Sequence, residues 1–318
     1  MTVGSNLEKV LRGGHFAVTG EIGPPTSADR TVIEKKARHL KGNVDSVNIT
    51  DNQTAVVRMS SISVGVLLMQ LGIEPNIQMT CRDRNRIAIQ SDLLGASALG
   101  VKNLLCLTGD HQTFGNHAMA KNVFDMDSIG LLMMVKAMRD EGVFQSGDKM
   151  TVAPRFFLGA AANPFADPFD FRPYRLAKKV KAGAEFIQTQ LIYNVQKFAE
   201  FMKRAGDLGL FDKVYILAGV GPIKSAAAAR YMATKVPGMD VPEQYLQRMS
   251  DAVKGISQED KKARRAAWEE AGIQICVEII QQVREIPGVA GVHIMSIEWE
   301  EAVPTIVEKA GLLPRPVV

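Results

Sequence analysis

The stretch Asn103 to Asp110, NLLCLTGD, is an apolar run that ends in a glycine and a carboxylate. Its mostly apolar part, Leu104 to Thr108, is too short for a helix and suits a strand buried on both faces. Strands of that kind lie in parallel sheets with helices on either side. Gly109 permits a tight turn, which puts Asp110 at the strand's carboxyl end, where parallel α/β folds gather their chemistry. A lone Asp there is more often a turn cap than a functional group, so the other strand ends must decide.

Working outward, seven further segments have strand character: 16–22, 46–50 and 76–80 before it, then 156–161, 186–193, 213–220 and 291–297 after it. A helical pattern follows each strand. Ser27 is expected to cap a helix reaching about Leu40, and the others fall near 59–71, 84–99, 127–141, 171–182, 195–205, 224–234 and 300–310. The first four strands start about 30 residues apart, the length of one β-α unit, and eight such units most often close into an α/β fold of the (β/α)8 TIM barrel type. A doubly wound dinucleotide-binding sheet would want G-x-G-x-x-G after an early strand. The first strand instead runs into EIGPPTSADR, with one glycine and two prolines. The stretch 222–288 is too long for one helix, and 241–253 and 261–283 read as extra helices between strands seven and eight. Within 1–15, a short helix near 6–12 is expected to plug the barrel bottom. With no linker and no repeat beyond the β-α alternation, residues 1–318 read as one domain.

The chain has 318 residues, 46% of them hydrophobic, and a formal net charge of +4. That is enough apolar material for a sizeable core, and too little charge to demand nucleic acid as a partner. The densest basic run, KKARR at 261–265, is flanked by Glu259, Asp260, Glu269 and Glu270 and reads as a solvated helix face. Apolar runs fall short of the roughly 20 residues that a membrane span needs. The first residues lack an apolar signal core, so a cytoplasmic location is expected. Three widely spaced cysteines, Cys81, Cys106 and Cys276, suggest neither a disulfide framework nor a metal site.

In a barrel, the carboxyl ends of the strands form the active site. Those positions hold Glu21, Thr50 with Asp51 and Asn52, Gln78 with Thr80, Thr108 with Asp110, Asn163, Gln188 with Gln190, Gly219 with Gly221, and His293 with Ser296. Polar residues at so many apolar strand tips exceed what capping explains. Gln188 and Gln190 stand two apart and share a face, which implies a wet or ligand-filled mouth. Glu21 is a candidate general acid, since desolvation favours a protonated carboxyl, and Asp110 could remain charged beside it. His111 and His117 match no metal spacing, and His293, inside strand eight, reads as a satisfied core histidine. GVGP at 219–222 reads as a tight turn rather than a phosphate loop.

In order and spacing, EIGPP after strand one, VNIT at strand two, QMTC at strand three, LTGD at strand four, KKVKAGAEFIQTQ into strand six and AGVGP after strand seven resemble the methylenetetrahydrofolate reductases. The likeness runs from about Phe16 to Leu313. It implies a flavin-dependent barrel holding FMN or FAD. Glu21 matches the glutamate that helps open the folate ring, Asp110 the aspartate near flavin and pterin, and Gln190 a glutamine that contacts folate. Thr50 matches a flavin-binding threonine and Lys179 a lysine at the ribityl phosphate end. Gln78, Thr108 and Asn163 stand where bacterial members carry a flavin-contacting histidine, an arginine and a tyrosine. They are carried over as cofactor-binding positions, with altered affinity or potential expected from the charge missing at 108.

The resemblance therefore implies hydride transfer from reduced flavin to 5,10-methylenetetrahydrofolate, giving 5-methyltetrahydrofolate, with NADH, NADPH, ferredoxin or a partner protein as donor. Two alternatives stay open: a folate-dependent methyltransferase barrel without flavin, and a reductase subunit that depends on an iron-sulfur partner. This chain has no cysteine cluster with which to hold such a centre itself. An oligomer is expected.

Overall fold

The computed structural model describes residues 2–236 and 238–318. Its chain order is α1 (Asn6–Arg12), β1 (Ala17–Ile22), α2 (Arg30–Leu40), β2 (Ser46–Ile49), α3 (Ser61–Gln70), β3 (Pro75–Thr80), α4 (Arg86–Ala98), β4 (Asn103–Leu107), α5 (Ser128–Asp140) and β5 (Phe157–Ala162). It continues with α6 (Arg172–Ala182), β6 (Phe186–Leu191), α7 (Val195–Asp207), β7 (Tyr215–Val220), α8 (Ala226–Lys235), α9 (Glu243–Asp251), α10 (Lys261–Arg284), β8 (Val289–Ile294) and α11 (Val303–Lys309). The eight strands are all parallel and β8 pairs with β1, so the sheet closes into the expected (β/α)8 barrel. Three helices, α8 to α10, fill the long segment between β7 and β8. Among the described residues, no helix is long and apolar enough to cross a membrane.

Two local expectations are corrected. The cap of α2 is Asp29, whose carboxylate accepts the Thr31 N–H at 2.9 Å; the Ser27 hydroxyl instead accepts the Asp29 N–H. A carboxylate is the better partner for the positive end of a helix, and it outcompetes the serine two residues earlier. The last strand ends at Ile294 rather than at 297, because the chain turns there: Glu298 adopts a left-handed φ of 52°.

Closure of the sheet makes two cores. The larger lies between strands and helices and takes the outward apolar residues, such as Val18, Ile49, Leu104 and Ile187. The smaller fills the floor of the barrel interior, where Leu7, Val10 and Leu11 of α1 pack on Ala17, Leu105, Phe157, Phe186 and Leu217. Burying those three α1 side chains contributes roughly 1.5–3 kcal/mol each. The helix is also tied by its polar end: Glu74 accepts the N–H groups of Asn6 at 2.5 Å and Leu7 at 2.9 Å, and the Asn103 amide at 2.9 Å. Burial pushes the Glu74 carboxyl above its usual range, against the pull of these donors.

Gly159 shows how tightly the floor is filled. A methyl group there would sit 2.2 Å from the Phe186 ring, which itself stacks on Phe157 at 5.0 Å. Gly159→Val is therefore expected to cost about 3 kcal/mol by overpacking. The measurement is the urea unfolding midpoint followed by circular dichroism, and an unchanged midpoint would contradict this account of the floor.

Candidate active site

Above the apolar floor, the inward positions of the strands turn polar. Thr19, Asn48, Asn76, Gln188 and His293 are all buried inside the barrel, and each must find a partner there. They find one another. Asn76 donates to Asn48 Oδ1 at 2.8 Å, Asn48 donates to Gln188 Oε1 at 2.6 Å, and Gln188 donates to Thr19 Oγ1 at 3.0 Å. Thr19 Oγ1 lies 2.9 Å from His293 Nδ1, and His293 Nε2 faces Glu21 Oε2 at 3.5 Å. Gln78 Nε2 reaches the same Glu21 oxygen at 3.2 Å. A polar column thus rises through the barrel and ends in a carboxyl group at its mouth.

Glu21, Gln78, Asn163, Gln190 and His293 line one cavity of about 340 Å³ at the carboxyl ends of the strands. Three cations from α6, Arg172, Arg175 and Lys179, complete its wall. Their spacing of three and four residues sets them in a row on one helix face. Arg172 bonds the carbonyls of Ala166 and Asp167, and Lys179 donates to the Ala161 carbonyl at 2.5 Å; among the described residues none of the three pairs with a carboxylate. Burial, with Arg175 nearby, pulls the Lys179 ammonium down to about 8. A row of cations left to carbonyls is a place for an anion.

A second cavity of about 300 Å³ adjoins the first and shares Gln78, Ala161, Arg175 and Lys179 with it. Thr108 and Asp110 line this second chamber. Thr108 Oγ1 accepts the Ser128 N–H at 3.0 Å, which leaves its own proton to donate. The buried Arg82 bonds the carbonyls of Asn52 at 3.0 Å and Asp110 at 3.2 Å, joining the loops that follow β2, β3 and β4. Asp51 takes both the N–H and the hydroxyl of Thr80 at 2.9 Å and pairs with Arg84 at 2.8 Å, so it holds the rim together.

The residues expected from sequence thus gather at one mouth, in two chambers. Glu21, Gln78, Asn163, Lys179 and Gln190 stand on the first, and Thr108 and Asp110 on the second, which Gln78 and Lys179 also reach. Asn163 Oδ1 accepts the Phe165 and Ala166 N–H groups at 3.2 Å, and Gln190 Oε1 accepts the Leu191 N–H at 2.9 Å, so each presents its amide NH2 without a partner among the described residues. Thr50 is the exception. It is buried and lines neither chamber, its hydroxyl has no partner among the described residues, and Asp51 occupies the wall instead.

His293 was expected in the core and satisfied; it is bonded to Thr19, but its other nitrogen opens on the first chamber. The signal was the alternation of β8, which points His293 the same way as its register partner Thr19 in β1. Arg172 and Arg175 were missed altogether. Their three- and four-residue spacing with Lys179 was readable only once the helix was known to face the mouth.

A family model described as methylenetetrahydrofolate reductase matches residues 6–311. Methylenetetrahydrofolate reductase 2 of Schizosaccharomyces pombe is 26% identical over 97% of this chain and 47% of its own length. A probable methylenetetrahydrofolate reductase (NADPH) of Caenorhabditis elegans is 23% identical over 82% of this chain and 36% of its own length. The chain therefore spans about half or less of these relatives. Among solved structures, a Clostridium thermocellum protein that binds two copies of 5-methyl-5,6,7,8-tetrahydrofolic acid shares the fold with a TM-score of 0.61 at 14% identity, over 96% of this chain and 100% of that one. With nearly its whole length matched, the chain belongs to the methylenetetrahydrofolate reductase family.

Proposed function

We propose that the chain reduces 5,10-methylenetetrahydrofolate to 5-methyltetrahydrofolate, with a hydride from reduced flavin and a proton from Glu21. The observation that carries this reading is the setting of Glu21. Its Oε2 faces Gln78 Nε2 at 3.2 Å and His293 Nε2 at 3.5 Å, while Oε1 has no partner among the described residues. One oxygen is held and the other is left for a ligand. The folate bound by the Clostridium thermocellum fold neighbour supports a pterin ligand in such a mouth.

The side chains present fit a flavin. Arg172, Arg175 and Lys179 offer a phosphate the charges that carbonyls alone now face, which suits FMN and FAD alike. Gln78, Asn163 and Thr108 offer donors along the two chambers. When bound, flavin supplies the hydride, on electrons taken from NAD(P)H or a partner protein.

The chain's own residues position the reactants and handle the proton. Glu21 gives its proton to N10 of the folate as the bond from N10 to the methylene carbon breaks, leaving an iminium at N5 that accepts the hydride. Gln190 would hold the folate with its free amide, and Asp110, on the second chamber, would stand beside flavin and pterin. Apolar walls such as Leu105 and Leu107 keep water from the carboxyl.

Glu21→Gln is expected to spare reduction of bound flavin and to slow the folate half-reaction by about 100-fold or more. Stopped-flow measurement of the two half-reactions checks this, and an unimpaired folate step would remove Glu21 as the acid. FMN affinity is expected to fall as pH rises through about 8, since Lys179 is cationic below that value and neutral above it. Lys179→Met should abolish this pH step and weaken binding by roughly tenfold or more. Fluorescence titration reads both, and a flat profile would take Lys179 off the phosphate. The visible spectrum of purified protein tests the cofactor itself: yellow, bleached by donor and restored by methylene-folate, supports a reductase, whereas a protein that stays colourless with added flavin favours a methyltransferase.

A further inference from the structure

The polar column below Glu21 has more members than a carboxyl group needs for support, and it has a direction. Asn48 and Gln188 bond each other in both senses, with Gln188 Nε2 also reaching Asn48 Oδ1 at 3.1 Å. The same Gln188 nitrogen donates to Thr19 Oγ1 at 3.0 Å. A hydroxyl that accepts from Gln188 has one hydrogen of its own, and His293 Nδ1 stands 2.9 Å away to accept it. The ring's single proton then resides on Nε2, the nitrogen that faces Glu21.

We infer that Gln188 is a positioning residue: through Thr19 it sets the tautomer of His293, and that tautomer decides which oxygen of Glu21 carries the transferable proton. The inference rests on the acid role proposed above for Glu21. With Nε2 protonated, its N–H faces Glu21 Oε2 from 3.5 Å while Gln78 donates to the same oxygen at 3.2 Å, so positive hydrogens surround Oε2 and disfavour a proton there. The carboxyl proton is left to Oε1, the oxygen that no described residue engages. The opposite tautomer would present a lone pair at Nε2, draw the carboxyl proton onto Oε2 and turn it away from the ligand. Turning Gln188, Asn48 and Asn76 over together would produce that tautomer, because Gln188 would then accept from Thr19 and leave the hydroxyl to accept from Nδ1–H. The orientation of a chain of uncharged amides below the carboxyl thus governs the acid.

The experiment is nitrogen NMR of the whole protein labelled with ¹⁵N-histidine, with His293 assigned by its loss in His293→Gln and spectra taken where the ring is neutral. Wild-type protein should show the proton on Nε2, and a proton on Nδ1 overturns the inference without any variant. Gln188→Met, which keeps the volume but not the donor, should mix the tautomers and lower kcat for folate reduction by about 10-fold with KM little changed. Thr19→Ser should keep the wild-type tautomer, since it keeps the hydroxyl. An unshifted tautomer in folded Gln188→Met, or unchanged kcat despite a shifted one, would overturn the inference. Absence of folate reduction by wild-type protein would instead overturn the functional reading and leave the tautomer result standing.

Discussion

Ring closure is the constraint on which this molecule depends. Eight parallel strands that meet end to end leave no sheet edge, but they enclose a space into which every second residue points. The hydrogen bond of 2.6 Å from Asn48 to Gln188, from strands on different sides of the ring, is the clearest sign of what that space demands. A buried amide left unpaired costs on the order of 1–3 kcal/mol, so polar residues inside a barrel are admitted only as a connected set. The set found here is nearly complete. Within the column, the Asn76 side-chain oxygen is left without a partner among the described residues.

From floor to mouth the interior changes character in steps. Phe157, Phe186 and Leu217 close the bottom with α1, the amides occupy the middle, and Glu21 with the α6 cations forms the top. Each layer prepares the next. The packed floor gives the amides a rigid base, the amides hold Thr19 and His293, and the histidine faces the acid. Rigidity at the rim comes from charge instead: Asp51 with Arg84, and Arg82 on the Asn52 and Asp110 carbonyls, bind three loops that would otherwise be free to separate.

Much of this was legible in the chain. The apolar run 103–108 and its seven companions, with helical spacing between them, describe a barrel because strands buried on both faces read as mostly apolar runs. Glu21, Gln78 and Gln190 could be placed at the mouth for the same reason. What stayed hidden depended on tertiary direction. Arg172 and Arg175 look like any surface arginine until α6 is seen to turn that face inward. Asn48 and Asn76 sit within strands whose neighbours are apolar, and the sequence offers no sign that each would find the other. His293 is both core and wall, and a one-dimensional reading must choose. Of the residues named together at the tip of β2, Asp51 lines a chamber while Thr50 points to the other face.

The plug helix has a consequence for how the chain assembles. Seven residues are too few to persist as a helix alone, and the groups that secure α1 come from far along the chain: Glu74, Asn103, Phe186 and Leu217. During synthesis α1 must therefore wait, unformed, until the strands that hold it exist. Seating it ties a short segment to groups more than 60 and up to about 200 residues away, a contact pattern that slows folding.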